Sequence, residues 1–190
     1  MSTKNILSIP TEPECFEIME RYEMLPNIIR HSIQVKNVAI AIANNLIDKS
    51  LINIELVSAG ALLHDIGKTI SLKTGDHFHD KIGANLIIEL GYPETAEICA
   101  CHVFLDSFNP HGNIEEREIV HYADKRVKHD EIVSLEERFE DLLARYGTTE
   151  KKRETILENQ KFLYLLDEKI SRHLNKTIDE ILSIECKTKF

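Results

Sequence analysis

Between residues 26 and about 182, apolar side chains recur three and four positions apart in one segment after another, and they almost never alternate. That period belongs to amphipathic helices, whereas strands need a period of two. The spacing predicts helices over 26–49, opened by Pro26 at a first helical position, and over 53–67, with Asn53 as N-cap. Further helices follow over 79–91, closed by Gly91, and from Pro93 to about 105, then over 115–127. The stretch 134–147 starts on a capping box, Ser134 with Glu137, and stops at Gly147. A long charged helix reaches about residue 174, and Thr177 with Glu180 opens a last short one. Hairpin dipeptides are missing. The expected fold class is therefore all-α, a single-domain helical bundle.

At 190 residues the chain can bury a substantial core. Its formal charge of −9, with no Lys/Arg-rich stripe, argues against nucleic-acid polymers as partners. The first fourteen residues lack an apolar core of signal-peptide length, and nothing approaches the ~20 apolar residues of a membrane span, so no membrane association is expected and the cytoplasm is the expected location. Cys15, Cys99, Cys101 and Cys186 contain no C-x-x-C pair and read as small buried hydrophobes. Cys99 lies three residues before His102 and shares its helix face.

The stretch "LLHDIGKT", residues 62–69, raises the chemical question, because it sets a histidine and an aspartate at the end of an apolar run. Other residues of the same two types fall on other helices: His31 in "IIRHSIQV", His79 in "HDKIGANLI", His102 in "ICACH" and Asp124 in "HYADKRV". Imidazole and carboxylate are the ligands of Zn, Fe, Mn and similar ions, and helical bundles build metal sites from one or two inward ligands per helix. Singly, each signal is weak, since a lone histidine on a helix is more often a satisfied or exposed one. The locally diagnostic H-E-x-x-H is absent.

The ordered set resembles the HD-domain superfamily of metal-dependent phosphohydrolases, whose signature of histidine, His-Asp pair and distant aspartate falls on His31, His64, Asp65 and Asp124. "LLHDIGK" looks like the central motif in its H-D-I-G form. The resemblance covers roughly residues 26–130 and divides the chain into an N-terminal helical extension (1–25), a metal-binding catalytic core (26–130) and C-terminal helices (131–190) that complete the bundle or form a subunit interface. Two-metal branches add two histidines. "HDKIGANLI", "ICACH" and "IVHYADK" are similar to the branch containing symmetrical diadenosine tetraphosphate hydrolases, and they assign His79 and His102 to a second ion. His77, two residues before His79, is the rival for that position; His111 and His121 are weaker candidates.

The resemblance implies two divalent ions (Fe, Mn, Co, Ni or Zn) with Asp65 bridging them. His31, His64 and Asp124 would complete one ion, and His79 and His102 the other. A buried carboxylate is costly unless paired or metal-bound, which gives Asp65 a physical reason to be there. Such a site implies hydrolysis of a phosphate ester or anhydride of a small nucleotide-like substrate by a metal-activated hydroxide. Lys68 is expected to meet the phosphate, or else to be an exposed charge at a helix C-terminus. Lys125 and Arg126 are further candidates for substrate contact, and Asp106, Asn109 and His111 lie in a loop expected over the site. Two other readings remain open: a non-catalytic nucleotide-binding regulator with a structural metal, and a di-iron oxygenase-like protein. Guanosine tetraphosphate hydrolysis is disfavoured, since Thr69 and Ile70 follow Lys68 where that branch carries a Glu-Asp pair. The expected partner is a small phosphorylated metabolite or nucleotide, with a homodimer as the candidate assembly.

Overall fold

Local signals place most helix starts. In a computed structural model that describes residues 9–186, Thr11 caps α1 (Glu12–Arg21) and exchanges bonds with Glu14. Pro26 opens α2 (Pro26–Asn44), and the Asn53 side chain accepts from the Glu55 and Leu56 amides to start α3 (Ile54–Leu63). After α4 (Lys68–Thr74) come α5 (His79–Leu90), ended by Gly91 at φ 95°, and α6 (Pro93–Cys101). The chain continues through α7 (Glu116–Lys125), α8 (Leu135–Tyr146), α9 (Glu150–Ser171) and α10 (Ile178–Glu185). The all-α expectation holds.

Four local departures have physical causes. The expected helix over 53–67 stops at Leu63, because Ile66 and Lys68 donate to carbonyls three residues back (Leu63 and Asp65, 3.0 and 2.9 Å) and the chain tightens into turns. Lys68 therefore begins α4 rather than ending α3, which corrects its reading as a helix C-terminal charge. Likewise α6 ends at Cys101, so His102 caps the helix instead of lying within it. Residues 127–132, read as helix end and loop, form a small antiparallel ribbon, β1 (Val127–Lys128) paired with β2 (Glu131–Ile132). Its turn needs a positive φ at His129 (57°), a conformation histidine tolerates better than most residues.

Two apolar clusters flank α3, which explains why that helix is apolar almost all round. Val57 and Ala61 face the larger cluster, with Val38 and Ile42 of α2, Tyr122 of α7 and Leu166 of α9. Ala59, Leu62 and Leu63 face the smaller, with Met19 of α1, Ile87 of α5 and Cys99 of α6. All four cysteines are buried. α3 thus carries the "HD" turn into the centre of the bundle, and α2, α6 and α7 pack around it.

Gly67 sets how closely α5 approaches that turn. A Cβ there would stand 2.2 Å from the His79 carbonyl oxygen and 2.6 Å from the Gly83 amide nitrogen, both backbone atoms that cannot swing aside. Gly67→Ala should therefore force α5 away and destabilise the protein by about 1–3 kcal/mol, the usual range for overpacking. Urea unfolding followed by circular dichroism measures this, and an unchanged midpoint would show that the backbone yields without strain.

Candidate metal centre

The turn after α3 points two polar side chains into the space between α2, α5, α6 and α7. His64 is fully buried, and its Nδ1–H donates to the Ala61 carbonyl (2.7 Å), three residues back on its own helix. His102 repeats the device at the end of α6, donating from Nδ1 to the Cys99 carbonyl (2.6 Å). Both use a carbonyl that a helix C-terminus leaves without an amide partner. His31, in the second turn of α2, donates from Nδ1 to the His129 carbonyl (2.7 Å) at the tip of the ribbon. In each ring the Nδ1 bond fixes the orientation and aims Nε2 into the shared space, the arrangement that suits a metal ligand.

The Nε2 atoms converge on two carboxylates. His31 Nε2 lies 3.0 Å from Asp124 Oδ1, and His64 Nε2 lies 3.8 Å from the same atom and 3.6 Å from Asp65 Oδ2. On the other side of Asp65, His79 and His102 each place Nε2 3.4 Å from Oδ1 and 3.1 Å from one another. Donors about 2.1 Å from one ion stand roughly 3.0–3.5 Å from each other, so these spacings match the edges of coordination polyhedra. Two groups have ligand atoms all within 4.8 Å: His31, His64 and Asp65, and Asp65, His79 and His102. Asp65 belongs to both.

A cation fits this chemistry. Among the described residues, His64 Nε2 and Asp65 Oδ1 are buried without a hydrogen-bond partner, and each such atom costs about 1–3 kcal/mol if nothing answers it. Burial raises the pKa of both Asp65 and Asp124, yet the Lys68 ammonium beside Asp65 and the Lys125 ammonium beside Asp124 hold both well below the usual carboxylate range. Burial also pushes His64 down to about 3 and lowers His79, so both stay neutral at pH 7. Ionised carboxylates and neutral imidazoles are the forms a metal binds.

The six ligand candidates read from sequence are thus brought together, while the other named residues are divided. Lys68 Nζ donates to Asp65 Oδ2 (2.7 Å) and lines a cavity of about 820 Å³ that opens over the cluster. Lys125 lines the cavity too, bonded to Asp124 and the His102 carbonyl. Arg126 does not: its guanidinium is buried against the Tyr122 hydroxyl, the Val133 carbonyl and Asp179 (2.6 Å), because it follows Asp124 by two residues and points to another side of α7. Asp106, Asn109 and His111 do not line the cavity; Asp106 pairs with Arg117, and Asn109 caps the His111 amide. From that loop only Val103 and Phe104 reach the cavity. His77 stands exposed at its edge, and His121 lies on α7 with Nδ1 on the Cys101 carbonyl (3.2 Å) and its ring edge-on to Phe162. Sequence reasoning missed the His129 carbonyl and the wall supplied by α8 and α9, where Arg138, Arg145, Tyr146 and Asn159 face the cavity.

The model of the HD domain family matches residues 28–167, most of the chain, and the protein belongs to that family. Among curated proteins, a tRNA (cytidine(56)-2'-O)-methyltransferase of Thermoplasma volcanium is 37% identical over 84 residues, 44% of this chain and 23% of that protein. An uncharacterized protein of Methanocaldococcus jannaschii is 33% identical over 75 residues, 39% of this chain and 43% of the other. The matches therefore span less than half the length of either relative. No solved structure matches significantly. Among the described residues, no helix is long and apolar enough to cross a membrane.

His121 gives a prediction on pH. Burial, aided by Lys125, depresses its folded pKa to about 3 from an ordinary 6.5. Between those values the unfolded chain binds the proton and the folded chain does not. The contribution is therefore full above pH 6.5 and lost as pH falls toward 3. His121→Leu should flatten the acid loss of stability in that window, measured by urea unfolding of metal-depleted protein; an identical pH slope in both proteins would contradict it.

Proposed function

We propose that the protein is a metal-dependent phosphohydrolase acting on a phosphate ester or anhydride of a small nucleotide-like molecule, with two divalent ions held side by side. The observation that carries this reading is the division of Asp65, whose Oδ2 faces the His64 side while Oδ1 faces His79 and His102. His31, His64 and Asp124 would complete one ion and His79 with His102 the other; Fe, Mn, Co, Ni and Zn all accept such imidazole and carboxylate donors. Bound there, divalent ions supply Lewis acidity to water and to the phosphoryl oxygens.

The chain's own groups do the rest. Lys68 is kept protonated: burial lowers its pKa, but the Asp65 carboxylate raises it further. Its ammonium is part exposed to the cavity and can turn from Asp65 Oδ2 to a phosphate oxygen, neutralising charge as the transition state develops. Lys125 holds Asp124 in place and offers a second cation on the same wall. The cavity's size falls within the roughly 300–1,000 Å³ of small-molecule sites. The reading does not extend to tRNA: the methyltransferase match covers 23% of that relative, and a net charge of −9 opposes an RNA polymer.

Two experiments test this reading. Metal analysis of protein loaded with Mn²⁺ should find two ions per chain, and His79→Ala with His102→Ala should leave one; a wild-type ratio of one removes the paired-ion assignment. Assayed against a nucleotide panel, Asp65→Ala should lose metal and turnover together, whereas Lys68→Met should keep its metal and lose roughly 10²-fold in kcat. Wild-type rates in the Lys68 variant would return that residue to a structural role, and metal-loaded wild type that turns over no nucleotide would leave a regulator or an oxygenase-like protein instead.

A further inference from the structure

The wall of the cavity facing the metal cluster comes from α8 and α9, and its composition is unlike the rest of the surface. The chain carries a formal charge of −9, yet the cavity lining holds five basic side chains, Arg30, Lys68, Lys125, Arg138 and Arg145, against three carboxylates, Asp65, Asp124 and Asp130. Arg30 is matched by Asp130 (3.2 Å), Lys68 by Asp65 and Lys125 by Asp124. The two arginines of α8 are the surplus. They are seven residues apart, so both lie on one face of the helix. Between them Asp141 is shared by Arg145, by Arg138 at 3.5 Å and by Lys128 at 3.8 Å, one carboxylate among three cations.

Arg138 has a second peculiarity. Its side chain is only 11% exposed, and among the described residues its Nε is buried with no hydrogen-bond partner, while the bond from Nη1 to Asp141, at 3.5 Å, is at the long limit. A guanidinium held out of water with a donor unanswered is expensive unless a ligand supplies the acceptor. The guanidinium fork suits a phosphate, which can accept two parallel N–H bonds. Apolar and aromatic groups line the same cavity: Leu142 and Tyr146 from α8, Ile156 from α9, and Phe104, 64% exposed, from the loop after α6. A flat ring could lie among these groups while charges at its two ends met opposite walls.

We infer that Arg138 and Arg145 form a second anion subsite, so that the substrate carries two phosphate groups, one at the metal cluster and one on α8, with a base or sugar between them. This rests on the hydrolase reading for the first phosphate only; the arginine subsite is a matter of binding and stands or falls separately.

The test uses the 190-residue chain loaded with Mn²⁺ and three probes: AMP with one phosphate, ADP with two adjacent phosphates, and adenosine 3′,5′-bisphosphate with two held apart by the sugar. Affinity is read by calorimetric titration, and kcat/KM is taken for any probe that is turned over. Adenosine 3′,5′-bisphosphate should exceed both AMP and ADP by about 10-fold or more, a margin expected of a charge-assisted contact. Arg138→Ala and Arg145→Ala should each remove most of that margin while metal content and the AMP value stay within about two-fold of wild type. Because Arg138 is largely buried, Arg138→Gln is measured beside it, and the more exposed Arg145 gives an independent arm. A wild type that binds adenosine 3′,5′-bisphosphate no better than AMP or ADP, or a margin that survives both arginine substitutions, overturns the subsite. A margin that follows the arginines with no turnover of any probe keeps the subsite and sinks the hydrolase reading instead.

Discussion

Everything around the site depends on one buried carboxylate. Asp65 is 2% exposed and ionised, with Lys68 on one oxygen and no hydrogen-bond donor on the other. Such a group costs several kcal/mol to bury unless a charge answers it. The fold commits a great deal of structure to that position. α3 is buried between two apolar clusters and stops at Leu63, so that the aspartate leaves the helix in the middle of the bundle. Gly67 then lets α5 close against the same turn, which brings the start of α5, and with it His79, to within reach.

The histidines are oriented by a local device that needs no side-chain partner. At a helix C-terminus the last carbonyls have no amide to satisfy them. His64 and His102 occupy that position on α3 and α6, and each turns its Nδ1–H onto the carbonyl three residues back. One bond thus satisfies an orphaned acceptor and aims the opposite nitrogen at Asp65. His31 lies inside α2, where carbonyls are already engaged, so its acceptor is imported from the left-handed tip of the ribbon at His129. The ribbon is short, but its tip supplies the acceptor for His31 Nδ1.

This difference explains what could be read from sequence and what could not. Helix starts were legible because caps are local: Thr177 with Glu180, Ser134 with Glu137, Asn53 alone. The six candidate ligands were legible as an ordered set of types on separate helices, and the chain does gather them. Helix ends at Leu63 and Cys101 were not, because an apolar period continues past the point where tight turns take over. The ribbon was hidden because its turn is His-Asp, with neither glycine nor asparagine to announce a positive φ. Arg126 was misplaced for lack of a register: basic residues adjacent in sequence point to different sides of α7, and only the packing of α10, through Asp179, says which faces inward. Arg138 and Arg145 carried no signal, since on a mixed-charge helix they look like a solvated face until α8 is seen to roof the cavity.

Charge placement ties the site to the scaffold. The acidic excess is put to structural use at helix N-termini, where Glu14, Glu118, Glu137 and Glu180 each accept from the backbone amide of the residue that caps their helix. There the amide and the helix dipole favour a carboxylate. None of these four lines the cavity. Around Asp65 and Asp124, by contrast, Lys and Arg side chains outnumber carboxylates in the cavity lining. An anion entering the cavity of a protein of net charge −9 meets a local surplus of cations in its lining, and a screening length of about 8–10 Å at ordinary ionic strength limits how far the remaining charge acts there. The same lining would repel a metal ion if the carboxylates were neutral; their depressed pKa keeps both in the charged form that a divalent cation requires.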